Sequence, residues 1–272
     1  MSKPSESEKS IGIFDSGLGG LSVLKAIRAE LPKESIEYVG DCKYNPYGDK
    51  APEFIIERAL KICDFLLMKG SKAIVVACNT ATAIAIPKLR ETYSIPIIGI
   101  EPAIKPAVSS TQTKAVGVMA TTATIHSARF QDLIRRFRKP DVRLLLQPCK
   151  GLADAIEQGR GKSPETQELL ETYLRPFKEA SCDKIVLGCT HYPFIAQEIQ
   201  NILGNPTVEL INPSYAVARE LRRRLETNQL IKQDASNHFE NFWVSGQPRE
   251  QEAIVSRLLQ HPVALKFSSD LD

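Results

Sequence analysis

The chain has 272 residues, of which 43% are hydrophobic and 25% are charged. This balance is typical of a globular protein with one or two buried cores and excludes disordered and fibrous proteins. The net charge of +3 arises from 35 basic and 32 acidic residues spread along the chain, so the sequence shows no basic stripe for nucleic acid and favours a small polar ligand.

The beginning of the chain and its cysteines predict a cytoplasmic protein. Residues 1–10 are polar and of mixed charge, unlike a signal peptide, and we expect them to form a flexible lead-in. No apolar run reaches the roughly 18 to 20 residues needed to span a bilayer. The six cysteines are widely spaced and include no CxxC pair, which indicates free thiols in a reducing compartment.

Short apolar runs alternate with helical stretches over the first hundred residues. Strands are predicted at 11–14, 36–39, 73–77 and 96–100, with helices after Leu21, after Pro52 and near 81–93. The strands are continuous apolar runs instead of alternating ones. We therefore expect a parallel sheet whose strands are buried on both faces beneath helices.

The same alternation restarts at Lys114. It comprises strands at 115–119, 142–146 and 184–187, a helix over 128–137 and helical stretches either side of Gly159. Prolines crowd the preceding seam and 109–113 is predicted as a polar loop, so we place a domain boundary near 103.

A further strand at 208–211 precedes Asn212, and a helix from Tyr215 follows it. Two more strands are predicted at 242–244 and 263–267, and this last part is expected to return to the first domain. The sequence therefore predicts an α/β protein with mostly parallel sheets: a first domain of 11–103 plus 212–272 and an inserted second domain of 104–211.

Two pairs of stretches match between the halves of the chain. "IGIFDSGLGGLSVL" and "VGVMATTATIHSA" each run from a strand through a small polar loop into a helix, and "AIVVACNTATA" and "KIVLGCTHYPF" each carry a cysteine after a strand. The separations are similar, 63 residues from Asp15 to Cys78 and 68 from Thr121 to Cys189. Two matches in the same order indicate a pseudo-repeat.

The two cysteines of this repeat are candidate reactive groups. Cys78 and Cys189 each follow a predicted buried strand and precede a helix, where open α/β sheets build ligand sites. Backbone N–H groups and the positive end of a helix lower the pKa of a thiol and favour the thiolate. Most free cysteines are instead small buried apolar groups, which suits Cys63 and Cys182.

A pair of thiols on opposite sides of one cleft suits inversion at a carbon centre. One thiolate removes a proton from one face while the opposing thiol delivers a proton to the other face. Asp15 and His191 are close in sequence or in predicted position to the two cysteines, and we expect them to adjust the protonation of the thiols.

Four ordered stretches, "DSGLGG", "DCKYNPYGD", "CNTAT" and "GCTHYP", resemble the signatures of the glutamate racemase family, within the aspartate/glutamate racemase superfamily. The resemblance extends from about Ile11 to Gly246. It implies a cofactor-independent enzyme that supplies D-glutamate for bacterial peptidoglycan, with two α/β domains and an active site in the cleft between them. No metal is implied.

Residue roles follow from the resemblance, position by position. Cys78 and Cys189 match the catalytic cysteines, which exchange the roles of base and acid with the direction of reaction. Asp15 and His191 match residues that assist the thiols, and Asp41 and Glu157 match further acidic residues of the site. The implied substrate-binding residues are Asp15, Ser16, Tyr47, Gly48, Asn79, Thr80, Thr190 and His191, with Thr121 and Thr124 lining the same pocket.

The resemblance also implies partners and leaves alternatives open. It implies a homodimer that acts on glutamate, with a peptidoglycan precursor as a candidate activator. An aspartate racemase or a related two-cysteine isomerase is the alternative enzyme, and inhibition of DNA gyrase by binding is the alternative without catalysis. From the residues alone, Asp15 and Ser16 could serve only as a helix cap, and Tyr47 and Gly48 only as a turn.

Overall fold

The computed structural model describes residues 5–234 and 238–272, and the chain divides into two compact units. Unit 1 comprises the residues up to Ile100 together with Ser214–Asp272, and unit 2 comprises Glu101–Pro213. The sequence placed the corresponding boundaries at 103 and 211. Each unit is an α/β body with a parallel sheet, which confirms the predicted fold class.

The helices and strands alternate along the chain. Unit 1 begins with β1 (Ser10–Asp15), α1 (Leu21–Glu30), β2 (Ile36–Gly40), α2 (Pro52–Met68), β3 (Ser71–Val76), α3 (Asn79–Thr92) and β4 (Ile97–Gly99). Unit 2 contains α4 (Ile104–Ser110), β5 (Ala115–Ala120), α5 (Thr122–His126), α6 (Ala128–Phe137), β6 (Arg143–Pro148), α7 (Leu152–Glu157), α8 (Pro164–Glu179), β7 (Lys184–Gly188), α9 (Ala196–Leu203) and β8 (Glu209–Ile211). The chain then returns to unit 1 as α10 (Ser214–Thr227), β9 (Glu240–Val244), α11 (Pro248–Leu259) and β10 (Leu265–Phe267).

The sheet of unit 1 has the strand order β10-β9-β2-β1-β3-β4, and all of its pairings are parallel. Strands β1, β2 and β3 are buried at every residue, as their continuous apolar runs predicted. Asp15 pairs with Gly40, and Phe14 pairs with Val76. The residues that follow these three strands therefore emerge at one edge of the sheet.

The sheet of unit 2 has the order β6-β5-β7-β8 and is also parallel. Ala120 of β5 pairs with Pro148 on one side and Gly188 on the other, so three strands again end together. The expectation of burial on both faces is confirmed for β5 and wrong for β6, which is partly exposed along its length. An edge strand such as β6 has a neighbour on one side only.

Three local predictions differ from the structure. The polar loop expected from 109 is wrong at its start, because α4 continues to Ser110 with Ile104, Ala107 and Val108 buried. Helix α11 was not predicted, although it begins with Pro248 at a position that suits proline. In the expected lead-in, Glu6–Glu8 form a 3-10 turn and Ser10 already belongs to β1, while residues 1–4 lie outside the described residues.

Each of the two candidate cysteines lies where a buried core meets the carboxyl edge of a sheet. In unit 1, Cys78 packs in a cluster with Phe14, Tyr47 and Val76. In unit 2, Cys189 packs in a cluster with Met119, Cys149, Leu187 and Tyr192. Both cysteines therefore pack against an apolar core, and only 6% of each is exposed.

The last glycine of "DSGLGG" is required for space. A Cβ atom on Gly20 would lie 2.7 Å from Cβ of Asp15, 3.0 Å from the Tyr38 hydroxyl and 3.1 Å from Cβ of Ala77. Asp15 ends β1 and Ala77 directly follows β3, while Tyr38 lies in the middle of β2. The close approach of the first turn of α1 to the sheet thus depends on the missing side chain.

Replacing Gly20 by Ala should lower the free energy of unfolding by about 1–3 kcal/mol, because the new methyl group overpacks a rigid contact. Urea unfolding followed by circular dichroism measures this change. Lys25→Ala, on the exposed side of the same helix, is the control and should stay within about 0.5 kcal/mol. An unfolding midpoint of Gly20→Ala equal to that of the unchanged chain would contradict the packing argument.

Candidate active site

The half-site of unit 1 is built around Cys78, which is the N-cap residue of α3. Its sulfur accepts a hydrogen bond from the Ala81 N–H at 3.4 Å. The thiol also donates to Oγ of Ser16, with 3.6 Å between the sulfur and the oxygen. Only 6% of Cys78 is exposed. A backbone donor at the start of a helix stabilises the thiolate over the thiol.

Asp15 holds the loop in front of this thiol. The side chain is fully buried, and Oδ2 accepts a hydrogen bond from the Gly20 N–H at 2.8 Å. The Tyr38 hydroxyl donates to the Gly17 carbonyl at 2.9 Å and fixes the same loop from the sheet. Asp15 therefore anchors the loop at Gly20, which is itself the N-cap residue of α1.

Asn79 and Thr80 follow Cys78 in the first turn of α3, and both are buried. Among the residues that the structure describes, neither Oδ1 nor Nδ2 of Asn79 has a hydrogen-bond partner. A buried polar group without a partner costs about 1–3 kcal/mol, and such a group is expected to be satisfied when a site is filled. The Asn79 amide therefore presents a donor and an acceptor to a polar ligand.

The loop after β2 carries the acidic residue Asp41 and the aromatic residue Tyr47. The Tyr47 hydroxyl donates to Oδ2 of Asp41 at 2.5 Å, and both side chains are buried. Burial raises the pKa of Tyr47 well above its ordinary value, and the neighbouring Asp41 and Cys78 charges raise it further. Gly48 is half-buried in the same turn, which follows a cis peptide bond between Asn45 and Pro46.

The half-site of unit 2 is a chain of three side chains. The sulfur of Cys189 lies 3.6 Å from Nδ1 of His191, and Nε2 of His191 lies 2.5 Å from Oε2 of Glu157. Burial by itself lowers the pKa of His191, but the hydrogen bonds to Cys189 and Glu157 outweigh it, so the pKa lies well above its ordinary value. The structure thus places the His191 imidazole between the sulfur of Cys189 and the carboxylate of Glu157.

Three threonines surround the end of β5 and β7. Thr121 is the N-cap residue of α5: its Oγ1 accepts from the Thr124 N–H at 3.2 Å and donates to Oγ1 of Thr124 at 2.9 Å. Thr190 is buried directly after Cys189. Because Ala120 pairs with Gly188, Thr121 and Cys189 leave adjacent strands at the same edge.

Two buried residues near these half-sites were not predicted from the sequence. Cys149 directly follows β6, donates its S–H to the Gln147 carbonyl at 3.4 Å, and has a pKa raised by burial. Arg58 lies on α2 and pairs with Asp41. One sequence signal for Arg58 exists, since it lies on the same helical face as Ile55, Ala59 and Ile62 and is a charge at a core position.

Residues 5–234 and 238–272 contain neither a metal centre nor a membrane-spanning helix. Within this range, no group of three or more His, Cys, Asp or Glu side chains is arranged to hold a metal ion. No helix in the same range is long and apolar enough to cross a membrane.

Comparisons with known proteins give a consistent result. The model of the Asp/Glu/hydantoin racemase family matches residues 13–221. The glutamate racemase of Ectopseudomonas mendocina is 46% identical over 255 residues, which cover 93% of this chain and 96% of that protein.

Solved structures agree with this relationship. Glutamate racemase from Francisella tularensis in complex with D-glutamate is 34% identical, with a TM-score of 0.83 over 98% of this chain and 99% of that one. Escherichia coli glutamate racemase in complex with L-glutamate and the activator UDP-MurNAc-Ala is 29% identical, with a TM-score of 0.83 over 95% and 98% of the two chains.

Glu157→Gln should slow the alkylation of Cys189 by iodoacetamide near pH 7.5. Without the carboxylate, the pKa of His191 falls, so the imidazolium that favours the Cys189 thiolate is lost at a lower pH. Because the thiolate is the reactive form of a cysteine, its loss slows alkylation. Peptide mass spectrometry reads the Cys189 rate separately from the other cysteines.

Glu171→Gln, an exposed carboxylate on α8, is the matched control and should leave the Cys189 rate unchanged. Equal rates in the Glu157→Gln variant and the unchanged chain across pH 6–9 would show that Glu157 does not control the imidazolium.

Proposed function

Because the chain belongs to the Asp/Glu/hydantoin racemase family, and within it to the glutamate racemases, we propose that it interconverts L-glutamate and D-glutamate through Cys78 and Cys189. It is an isomerase of this family. The observation that supports the two-thiol mechanism most directly is the repetition of one arrangement, a cysteine with a polar partner at the carboxyl edge of each parallel sheet.

The reaction moves one proton on each face of the substrate. The thiolate of one cysteine takes the Cα proton, and the electron pair of the broken C–H bond remains on the substrate as a carbanion. The thiol of the other cysteine then delivers its proton to the opposite face and becomes a thiolate. The reverse reaction exchanges the two roles, so the mechanism requires the thiols to reach opposite faces of one Cα atom.

The Cα–H group of an amino acid is a very weak acid, so the site must stabilise the carbanion that forms when the proton leaves. We assign this task to donors that meet the substrate carboxylate, where negative charge accumulates as the proton leaves. The Asn79 amide, together with the hydroxyls of Ser16 and Thr80, forms this set in unit 1, and the absence of a partner for Asn79 among the described residues supports the assignment. Gly48 and the Tyr47 hydroxyl border the same half-site.

In unit 2, we assign His191 as the group that adjusts Cys189. The imidazolium donates toward the sulfur and stabilises the thiolate, while Glu157 keeps the imidazole protonated. Thr190, Thr121 and Thr124 provide hydroxyls at the same edge of the sheet. In unit 1, Asp15 and Ser16 take the corresponding place beside Cys78.

The proposal includes the biological setting. D-glutamate supply for peptidoglycan is assigned from the family, without a cofactor, and the six free thiols fit the reducing cytoplasm. The activator in the Escherichia coli structure makes a peptidoglycan precursor the first candidate for regulation here. A homodimer remains a prediction.

Incubation of each pure glutamate enantiomer with the protein in heavy water, without added cofactor, tests the reaction. A two-thiol mechanism predicts that the product carries deuterium at Cα well before the recovered substrate does, because the donor thiol exchanges with solvent. Chiral chromatography with mass detection measures both pools. Equal early labelling of the two pools would contradict opposed thiols, and a lack of any racemisation would refute the activity.

Cys78→Ser and Cys189→Ser should each lower kcat/KM by at least about 100-fold, because an alcohol is a far weaker acid than a thiol and general acid–base catalysis contributes on this scale. Cys182→Ser, near the amino end of β7, is the matched control and should retain activity. A coupled assay for the opposite enantiomer gives the rates, and circular dichroism checks the fold. Full activity in either variant would remove that cysteine from the mechanism.

A further inference from the structure

A buried ion pair lies beneath the loop that carries Tyr47. Arg58 on α2 is 5% exposed, and Asp41 is fully buried. The guanidinium donates from Nε to Oδ2 of Asp41 at 3.0 Å and from Nη2 to Oδ1 at 2.7 Å. This two-point contact fixes the orientation of the carboxylate as well as its position.

The fixed carboxylate in turn holds the tyrosine. Oδ2 of Asp41 also accepts the hydrogen bond from the Tyr47 hydroxyl at 2.5 Å. The ring of Tyr44, in the same loop, covers the guanidinium with 4.0 Å between the Arg58 Cζ atom and the ring centroid. The loop from Asp41 to Tyr47 therefore contacts the Arg58 guanidinium through the Asp41 carboxylate and the Tyr44 ring.

A second segment anchors Arg58 from the other side. Nη2 of Arg58 also donates to the Leu271 carbonyl, and the Leu271 side chain is fully buried in the core cluster that contains Tyr47 and Cys78. Next to it, the Asp272 carboxylate lies 3.1 Å from the Lys43 ammonium. The guanidinium thus joins α2, the Asp41 loop and the Ser269–Leu271 turn.

These contacts indicate what Asp41 does. Both of its oxygens accept hydrogen bonds from a cation or a phenol, and it has no exposed surface. The carboxylate oxygens are occupied by these donors and have no exposed surface for contact with a substrate. Its arrangement suits an anchor better than a base.

We propose that Arg58 is a positioning residue for the Cys78 half-site, which it serves by fixing the Asp41 carboxylate and, through it, the Tyr47 hydroxyl. This inference rests on the proposed racemase function. The turn containing Tyr47 contacts α3, the helix that Cys78 caps, so the held hydroxyl belongs to the same half-site. The rise in the pKa of Tyr47 that the Cys78 charge causes supports this proximity.

A double-mutant cycle tests the inference with Arg58→Lys and Tyr47→Phe. Lysine keeps the positive charge but loses the two-point fork, so Tyr47 is held less well. Each single variant should lower kcat/KM for glutamate by about tenfold or more, since small misplacements in an active site cost up to about 100-fold. The kcat/KM of the double variant should be close to that of Tyr47→Phe alone, because Arg58 has no further effect once the hydroxyl is absent.

Lys72→Gln is the matched control. It breaks another buried ion pair, between Lys72 and Glu34 at 2.5 Å, at the opposite edge of the same sheet. Urea unfolding should show a loss of stability for both Lys72→Gln and Arg58→Lys. Only the Arg58 variant should change KM and kcat when measured well below its unfolding transition.

Several outcomes are decisive. Provided that the unchanged chain racemises glutamate, either of two results would overturn the positioning role. The first is normal kinetics in Arg58→Lys. The second is a double variant in which the effects of the two substitutions on kcat/KM multiply in full. A lack of racemisation by the unchanged chain would refute the proposed function instead. If Arg58→Lys does not fold, Asp41→Asn replaces it in the cycle with Tyr47→Phe, and the same loss of additivity is expected.

Discussion

Both half-sites depend on one constraint, the common edge at which the strands of a parallel sheet end. In unit 1, the residues after β1, β2 and β3 are Ser16, Asp41 and Ala77, and Cys78 follows at once. In unit 2, Thr121, Cys149 and Cys189 follow the three adjacent strands in the same way. The register of each sheet therefore fixes where the polar residues that follow its strands emerge.

The two sulfur atoms are nevertheless held by different means. Cys78 receives a backbone N–H at the start of a 14-residue helix, whereas Cys189 faces the His191 imidazole, which Glu157 holds from behind. The enantiomers of an amino acid have equal free energies in water, so kcat/KM of a racemase must be equal in both directions. Unequal thiol environments can therefore affect only kcat and KM separately, in compensating amounts, and the asymmetry of the half-sites does not bias the equilibrium.

The sequence predicted the repeated strand–cysteine–helix units because their signal is local. The apolar runs of β1, β3, β5 and β7 and the turn into the following residue are contiguous in sequence. Glu157 was assigned to the site from the family resemblance alone, and its pairing with His191 was not predicted, since no local pattern joins residues that far apart. Arg58 was missed for the same reason: its partners are Asp41 and Leu271, and only the fold brings the three together.

Unit 1 carries buried ion pairs at both edges of its sheet, and their purpose is better explained by geometry than by stability. Lys72 with Glu34 lies at the amino edge, and Arg58 with Asp41 lies at the carboxyl edge. Desolvation opposes each pair, and apolar replacements of such pairs are often as stable or more stable. An ion pair that also fixes the orientation of a third group contributes geometry, even where it adds no stability. At the carboxyl edge that third group is the Tyr47 hydroxyl, so the charge is buried where orientation matters to the reaction.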